Sequence, residues 1–279
     1  MARTLKEKAT LVSLTLRKWQ NEITDERVTE QADKANKATN AGRYKKNLVR
    51  KEAMKAIQTA YSALRTNFYL YTLAWGDNGE RVLPGSLMFE FKKKHNDLKV
   101  VYDTEVEAFC INYPSLKEQA KKFLGDMYNE HDYPSVANIR SKFGVYLDWG
   151  TFPDKKDFRL TSDKEMAEEI RREIEESLTR KQKEVAEQCW TRMKVVVQKI
   201  HERISDEDNV FHDTLIENAR EQCKLLAHMN LTEDPEIEAV RKEVESFLIH
   251  PQRLREDKTL RADKAKEAAD ILKKMGIKV

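Results

Sequence analysis

The sequence predicts a mainly α protein: an elongated helical bundle with one long helix at about 161–204 and a small two-stranded antiparallel β element. Three observations point there. The forty-odd residues from Thr161 to Ile204 contain neither Gly nor Pro. Along them Met166, Ile170, Ile174, Leu178, Val185, Cys189, Met193, Val197, Ile200 and Ile204 recur mostly at steps of three or four, the spacing that keeps side chains on one helix face. The chain is also 35% charged and holds only 8 Gly and 6 Pro in 279 residues, against about 25% charged in an ordinary domain. That is the composition of long helices with solvated faces. Finally, Val12, Leu14 and Leu16 alternate with Ser13, Thr15 and Arg17, and Val145, Leu147 and Trp149 alternate in the same way. A period of two marks strands. Two isolated strands are marginal alone, so 11–19 and 143–152 are expected to pair.

At about 1.5 Å per residue the long helix would span roughly 65 Å. Its stripe therefore needs cover from its own chain or from a copy of it. After the first strand, a helix is expected from about Thr24, breaking near Asn40–Gly42. A second is expected from Arg43 to Trp75. Its one face is cationic at Arg43, Lys46 and Arg50 and apolar at Met54, Ile57, Tyr61, Leu64 and Phe68. Gly76-Asp77-Asn78-Gly79 suits a turn, and Pro84-Gly85 a second break. Ser86 starts a helix to about Asn112, ending before Pro114. Ser115 with Glu118 forms a capping box for a short helix to Leu124, and Pro134-Ser135 starts another. Pro153–Leu160 is the expected boundary between an N-terminal module, 1–160, and a C-terminal one, 161–279. Ser162 with Glu165 caps the long helix, whose first turns are acidic, as its positive end prefers. Further helices are expected over 207–229 with a cap at Ser205 and Asp208, from Asp234-Pro235 to His250-Pro251, and over 258–275, stopped by Gly276.

The totals exclude several classes of function. Net charge is +3 from 51 basic and 48 acidic residues, so only a local patch would carry nucleic-acid binding. Cys110, Cys189 and Cys223 are odd in number and widely spaced. They read as reduced, buried thiols, not a disulfide framework or zinc site. The charged N-terminus lacks a signal-peptide pattern, and no apolar run nears the roughly 18 residues that span a bilayer. A soluble, cytoplasmic protein without membrane contact is expected. The six histidines show no metal-ligand spacing. His201-Glu202 lacks the second His of H-E-x-x-H, and there is no G-x-G-x-x-G, Walker loop or G-x-S-x-G. No catalytic, cofactor-binding or metal-binding residue is assigned.

The functional candidate is basic. Arg43, Tyr44, Lys45, Lys46, Arg50, Lys51 and Lys55 cluster with only Glu52 opposing them. Clustered cations neutralise phosphates and release counterions, and a nearby ring stacks on a base. Lys92, Lys93, Lys94 and His95 form a second cluster, and Arg253, Arg255, Lys258 and Arg261 a third. Both read as soluble helix faces.

Thr72-Leu-Ala-Trp75 followed by Asp77-Asn-Gly79-Glu-Arg81-Val-Leu83-Pro84 resembles a TLPW-x-D-x-G-x-R-x-LP segment. That segment belongs to an uncharacterised family of tailed-bacteriophage, early-region proteins; Ala74 stands where its pattern has Pro. Asp132-Tyr133-Pro134-Ser135 with Ile139-Arg140 and Phe143 is similar to the family's DYPS…LR…F segment. Phe152-Pro153 with Asp157-Phe158-Arg159 is similar to its P…DFR junction. Arg203-Ile-Ser-Asp206, Phe211, Asp213, Leu215-Ile-Glu-Asn218 and Ala268-Ala-Asp270-Ile-Leu follow in the same order. The resemblance implies a phage origin and action inside an infected bacterial cell. It implies no activity or cofactor. The matched residues read structurally: Gly79 in a turn, Pro84 and Pro134 before helices, Phe158 as an anchor. The expected function is that of a non-enzymatic phage interaction or assembly protein. It would self-associate along the long helix and act on phage DNA metabolism or a host factor. The alternatives are single-strand DNA binding or annealing through the basic face, and an enzyme with an unfamiliar helical site.

Overall fold

The period-of-two stretch near the N-terminus does form a strand in the computed structural model, which describes residues 5–154, 164–206 and 212–277. A single helical turn, α1 (Leu5–Lys8), leads into β1 (Ala9–Arg17). Helices dominate, ten among the described residues. β1 is the centre of a four-stranded sheet ordered β4 (Leu73–Ala74), β5 (Arg81–Pro84), β1, β6 (Gly144–Gly150). The expected neighbours, 11–19 and 143–152, do lie side by side. The sheet is wider than expected because residues 73–84 fold into a hairpin against β1, with Ala9 opposite Pro84 and Val12 opposite Arg81. Leu73, Val82 and Leu83 are completely buried there. Gly76 and Gly79 close the hairpin at φ +81° and +83°, a region open to glycine at no steric cost.

Chain contacts divide the molecule into two compact units. One comprises Met1–Ser13, Tyr69–Phe91 and Asp148–Val279, the other Leu14–Phe68 and Lys92–Leu147. These cut across the expected modules 1–160 and 161–279. The first part of β1, up to Ser13, and the 73–84 hairpin belong with the C-terminal helices.

In the first unit the long helix exists as α6 (Lys164–Ile204), 41 unbroken residues. Its expected start and cap, Thr161 to Asp163, lie outside the described residues. The stripe turns onto its own chain. Val185, Cys189, Met193, Val197, Ile200 and Ile204 are buried, and the helix packs on α7 (Thr214–Met229), α8 (Pro235–Phe247) and α10 (Lys258–Lys274). Ile170, Ile174 and Leu178 are half-buried, and Met166 is exposed. Asp234 caps α8 as expected, and Asp257 caps α10. A short helix, α9 (Pro251–Glu256), fills the stretch expected to be a break. Asp208, the expected cap before α7, is outside the described residues, and α7 begins at Thr214.

Two arginines, Arg192 half-buried and Arg261 buried, close helix ends. The Arg192 guanidinium donates to the carbonyls of Leu70 at 3.0 Å, Tyr69 at 2.8 Å and Thr72 at 2.5 Å, at the end of α3 (Lys55–Tyr71). Arg261 donates to Ile204 and Arg203, both at 3.0 Å, at the end of α6. A cation at that end satisfies orphan carbonyls and opposes the negative pole. The motif 72–84 has the same structural meaning. Arg81 Nε donates to Thr72 Oγ1 at 2.7 Å, and Trp75 meets Phe152 edge-on at 5.0 Å.

The second unit is built on residues 92–124 of α4 (Met88–Leu124), a helix of 37 residues whose first turn belongs to the first unit. The expected stop before Pro114 and the separate helix from Ser115 are not found. Phe109, Cys110 and Tyr113 before the proline and Ala120 and Leu124 after it sink into one core. That burial outweighs the roughly 3 kcal/mol that a mid-helix proline costs. Trp19 anchors this core against Phe109 and Tyr113, at 5.9 and 6.0 Å between ring centres. α5 (Val136–Arg140) begins after Pro134 with Ser135 as its cap, as expected.

Candidate nucleic-acid interface

The helix expected over Arg43–Trp75 starts only at Lys55. The residues before it form β3 (Lys45–Asn47), which pairs antiparallel with β2 (Glu22–Thr24), and a 3-10 turn (Lys51–Met54). Between the two strands runs α2 (Glu26–Ala35), capped by Asp25. Leu48 and Val49 are consecutive and both buried. Asn21 grips Val49 from both sides. Its Oδ1 accepts from the Val49 N–H at 2.7 Å, and its Nδ2 donates to the carbonyl at 2.6 Å. The three cations Arg43, Lys46 and Arg50 therefore share no helix face.

Lys46 leaves the cluster altogether. Its ammonium is 3.0 Å from Asp25 and 2.9 Å from Asp132, and donates to the Met127 carbonyl at 2.6 Å. Burial pulls its pKa down, but Asp132 and Asp25 hold it above the usual lysine value. The Val28 amide, then Lys46, holds the Asp25 carboxyl below the usual carboxylate value. This is a structural ion triad. Arg50 lies over the Phe123 ring at 5.2 Å.

What remains of the cluster faces solvent. Lys51 and Lys55 line a groove of about 750 Å³ together with Lys18 at the end of β1. Trp19 and Met54 supply its apolar wall, and Glu22, Asn47, Glu52 and Gln58 also border it. Lys18 is held in place by the Gln58 amide oxygen and lies 5.1 Å above the Tyr61 ring. Lys45, on β3, is 4.0 Å from Glu22. Tyr44 follows Arg43 and leads into β3. The residue is 42% exposed, while its backbone is pinned by Asp25 N–H at 2.9 Å and Thr29 Oγ1 at 2.9 Å. Lys18, the one groove cation outside the sequence cluster, lies 25 residues from Arg43, and nothing local links it to the rest.

Charge is divided between the units. Leu14–Phe68 and Lys92–Leu147 carry 21 basic and 14 acidic side chains, a net of +7. The other unit carries 30 basic and 34 acidic, a net of −4. The small overall excess hides one basic body and one acidic body.

The other two clusters are not patches of this kind. Lys92, Lys93 and Lys94 are exposed on α4, but His95 is buried. Burial, with Lys92 and Lys99, pushes its pKa down to about 4. Arg255 pairs with Asp213 at 2.6 Å, and Arg261 is the buried cation that closes α6. The three cysteines are free and buried, and burial pushes Cys189 and Cys223 up to about 11. Among the described residues no group of His, Cys, Asp and Glu is placed to hold a metal, and no helix is long and apolar enough to cross a membrane. No family model matches the chain, and neither a curated protein nor a solved structure matches it significantly.

Proposed function

We propose that the protein is a non-enzymatic interaction protein that binds single-stranded nucleic acid in the groove bordered by Lys18, Lys51 and Lys55. The observation that carries this reading is the convergence of three separated cations on one groove, in the unit that holds the positive charge. Cations along a groove track a phosphate backbone, and an exposed ring offers a stacking surface to an unpaired base. Tyr44, between Arg43 and Lys45, is exposed but does not border the groove, so the cations carry the reading. The likeness of residues 72–84 and 132–143 to a phage family supports a setting in phage DNA metabolism.

The test is fluorescence anisotropy with a labelled oligothymidine across a salt series. Binding is expected to weaken steeply with salt. Taking away one lysine–phosphate pairing lowers the slope of log K against log salt by about 0.7 for a single strand. The triple reversal Lys18→Glu, Lys51→Glu, Lys55→Glu is expected to lower affinity at least tenfold and flatten that slope. Unchanged affinity and slope would end this reading.

A further inference from the structure

Helix α4, whose first turn belongs to the first unit and residues 92–124 to the second, buries one face and leaves another bare. Phe89, Val100 and Ile111 on it are 87%, 65% and 71% exposed. They are spaced 11 residues apart, close to three turns at about 3.6 residues per turn. They therefore stand in one row, roughly 33 Å long at 1.5 Å per residue. Single exposed apolar side chains are ordinary; what sets these three apart is that they share one row of one helix with a regular spacing. Lys93, Asn96, Thr104 and Glu107 fill the same row, and all four are exposed.

The row is self-complementary about Val100. Phe89 and Ile111 lie equally far from it on either side, as do Lys93 and Glu107, and Asn96 and Thr104. Turning a second α4 about a two-fold axis at Val100 makes the helices antiparallel. Phe89 then meets Ile111, Lys93 meets Glu107, Asn96 meets Thr104, and Val100 meets itself. Symmetric dimers need such a patch, in which residue i contacts j and j contacts i. A foreign partner would not require this mirror order.

We propose that this face of α4 is the contact between two copies of the chain, packed antiparallel about Val100. The 11-residue spacing drifts opposite to a heptad, so the two helices cross in the right-handed sense. Arg140 already pairs with one oxygen of Glu107, so Lys93 of the second copy joins an existing pair. In the helix expected to serve self-association, 161–204, the stripe from Val185 to Ile204 is buried, and the helix packs on α7, α8 and α10. This interface is independent of the groove.

Sedimentation velocity of the full chain over a micromolar series tests it. A reversible monomer–dimer equilibrium is expected. Val100→Glu, which sets two like charges face to face, is expected to weaken it at least about tenfold. Lys93→Glu and Glu107→Lys should each weaken it, and the double swap should recover it. Val100→Cys should give a disulfide-linked dimer under mild oxidation, since the native thiols are buried. Thermal melts of these surface variants establish that they fold. A monomer throughout, a dimer untouched by Val100→Glu, or no recovery in the double swap would overturn the proposal.

Discussion

Of the seven side chains in the basic cluster, Lys46 alone turns inward. It lies between Asp25 and Asp132, which are 107 positions apart, so no local pattern announces the triad. Removing one partner of a buried ion cluster strands the others and costs about 3–5 kcal/mol. Lys46→Ala is therefore expected to lower the urea midpoint sharply, whereas Lys45→Ala next to it should leave it nearly unchanged. His95 sets a pH dependence. Its folded pKa, about 4, lies below the ordinary 6.5, so the unfolded chain binds its proton first on acidification. Stability is full above about pH 6.5 and is lost as pH falls towards 4. Asp25, depressed below 3.8, adds a further loss only beneath that value. Replacing His95 with Gln should remove the upper of these two phases in a series of urea melts, and a curve of unchanged shape would contradict this account.

At the scale of the element, α4 and the 43–55 segment depart from their sequence patterns for opposite reasons. Pro114 is a strong local break signal, yet the residues on both sides of it share one core, and burial outweighs propensity. Pro114 is exposed, so replacing it with Ala restores a backbone donor without disturbing that core. Pro114→Ala is expected to raise stability by about 1–3 kcal/mol, read as a higher Tm. In 43–55 the spacing of charges imitates a helix, but the backbone of Leu48–Val49 is taken by Asn21. By contrast, the caps at Ser135 and Asp234, the stop at Gly276 and the strand at 11–19 were all legible, because each depends on side chains within a few residues of the backbone they serve.

For the whole molecule, the division of charge matters more than its total. A net of +7 in one unit and −4 in the other directs a polyanion to the former, and binding through that unit should fall with salt. The units also interleave along the chain. Arg192, Gln188 and Lys181 on α6 meet Tyr69–Thr72, Ala74 and Trp75. A fragment of residues 161–279 lacks those partners. It is expected to retain helical far-UV dichroism but to lose cooperative unfolding; a fragment as cooperative as the full chain would show that its helices suffice alone.

Local chemistry in the sequence was enough for the fold class, the 41-residue rod and its stripe, the caps at Ser135 and Asp234, and the neighbouring strands at 11–19 and 143–152. These follow from periodicity and from hydrogen bonds spanning a few residues. Which cations face water, that a proline sits inside a helix, that 73–84 joins the sheet, and that Lys18 meets Lys51 and Lys55 were decided by tertiary structure. Each depends on residues tens of positions apart sharing one core, and burial energy of that kind leaves no periodic trace in the chain.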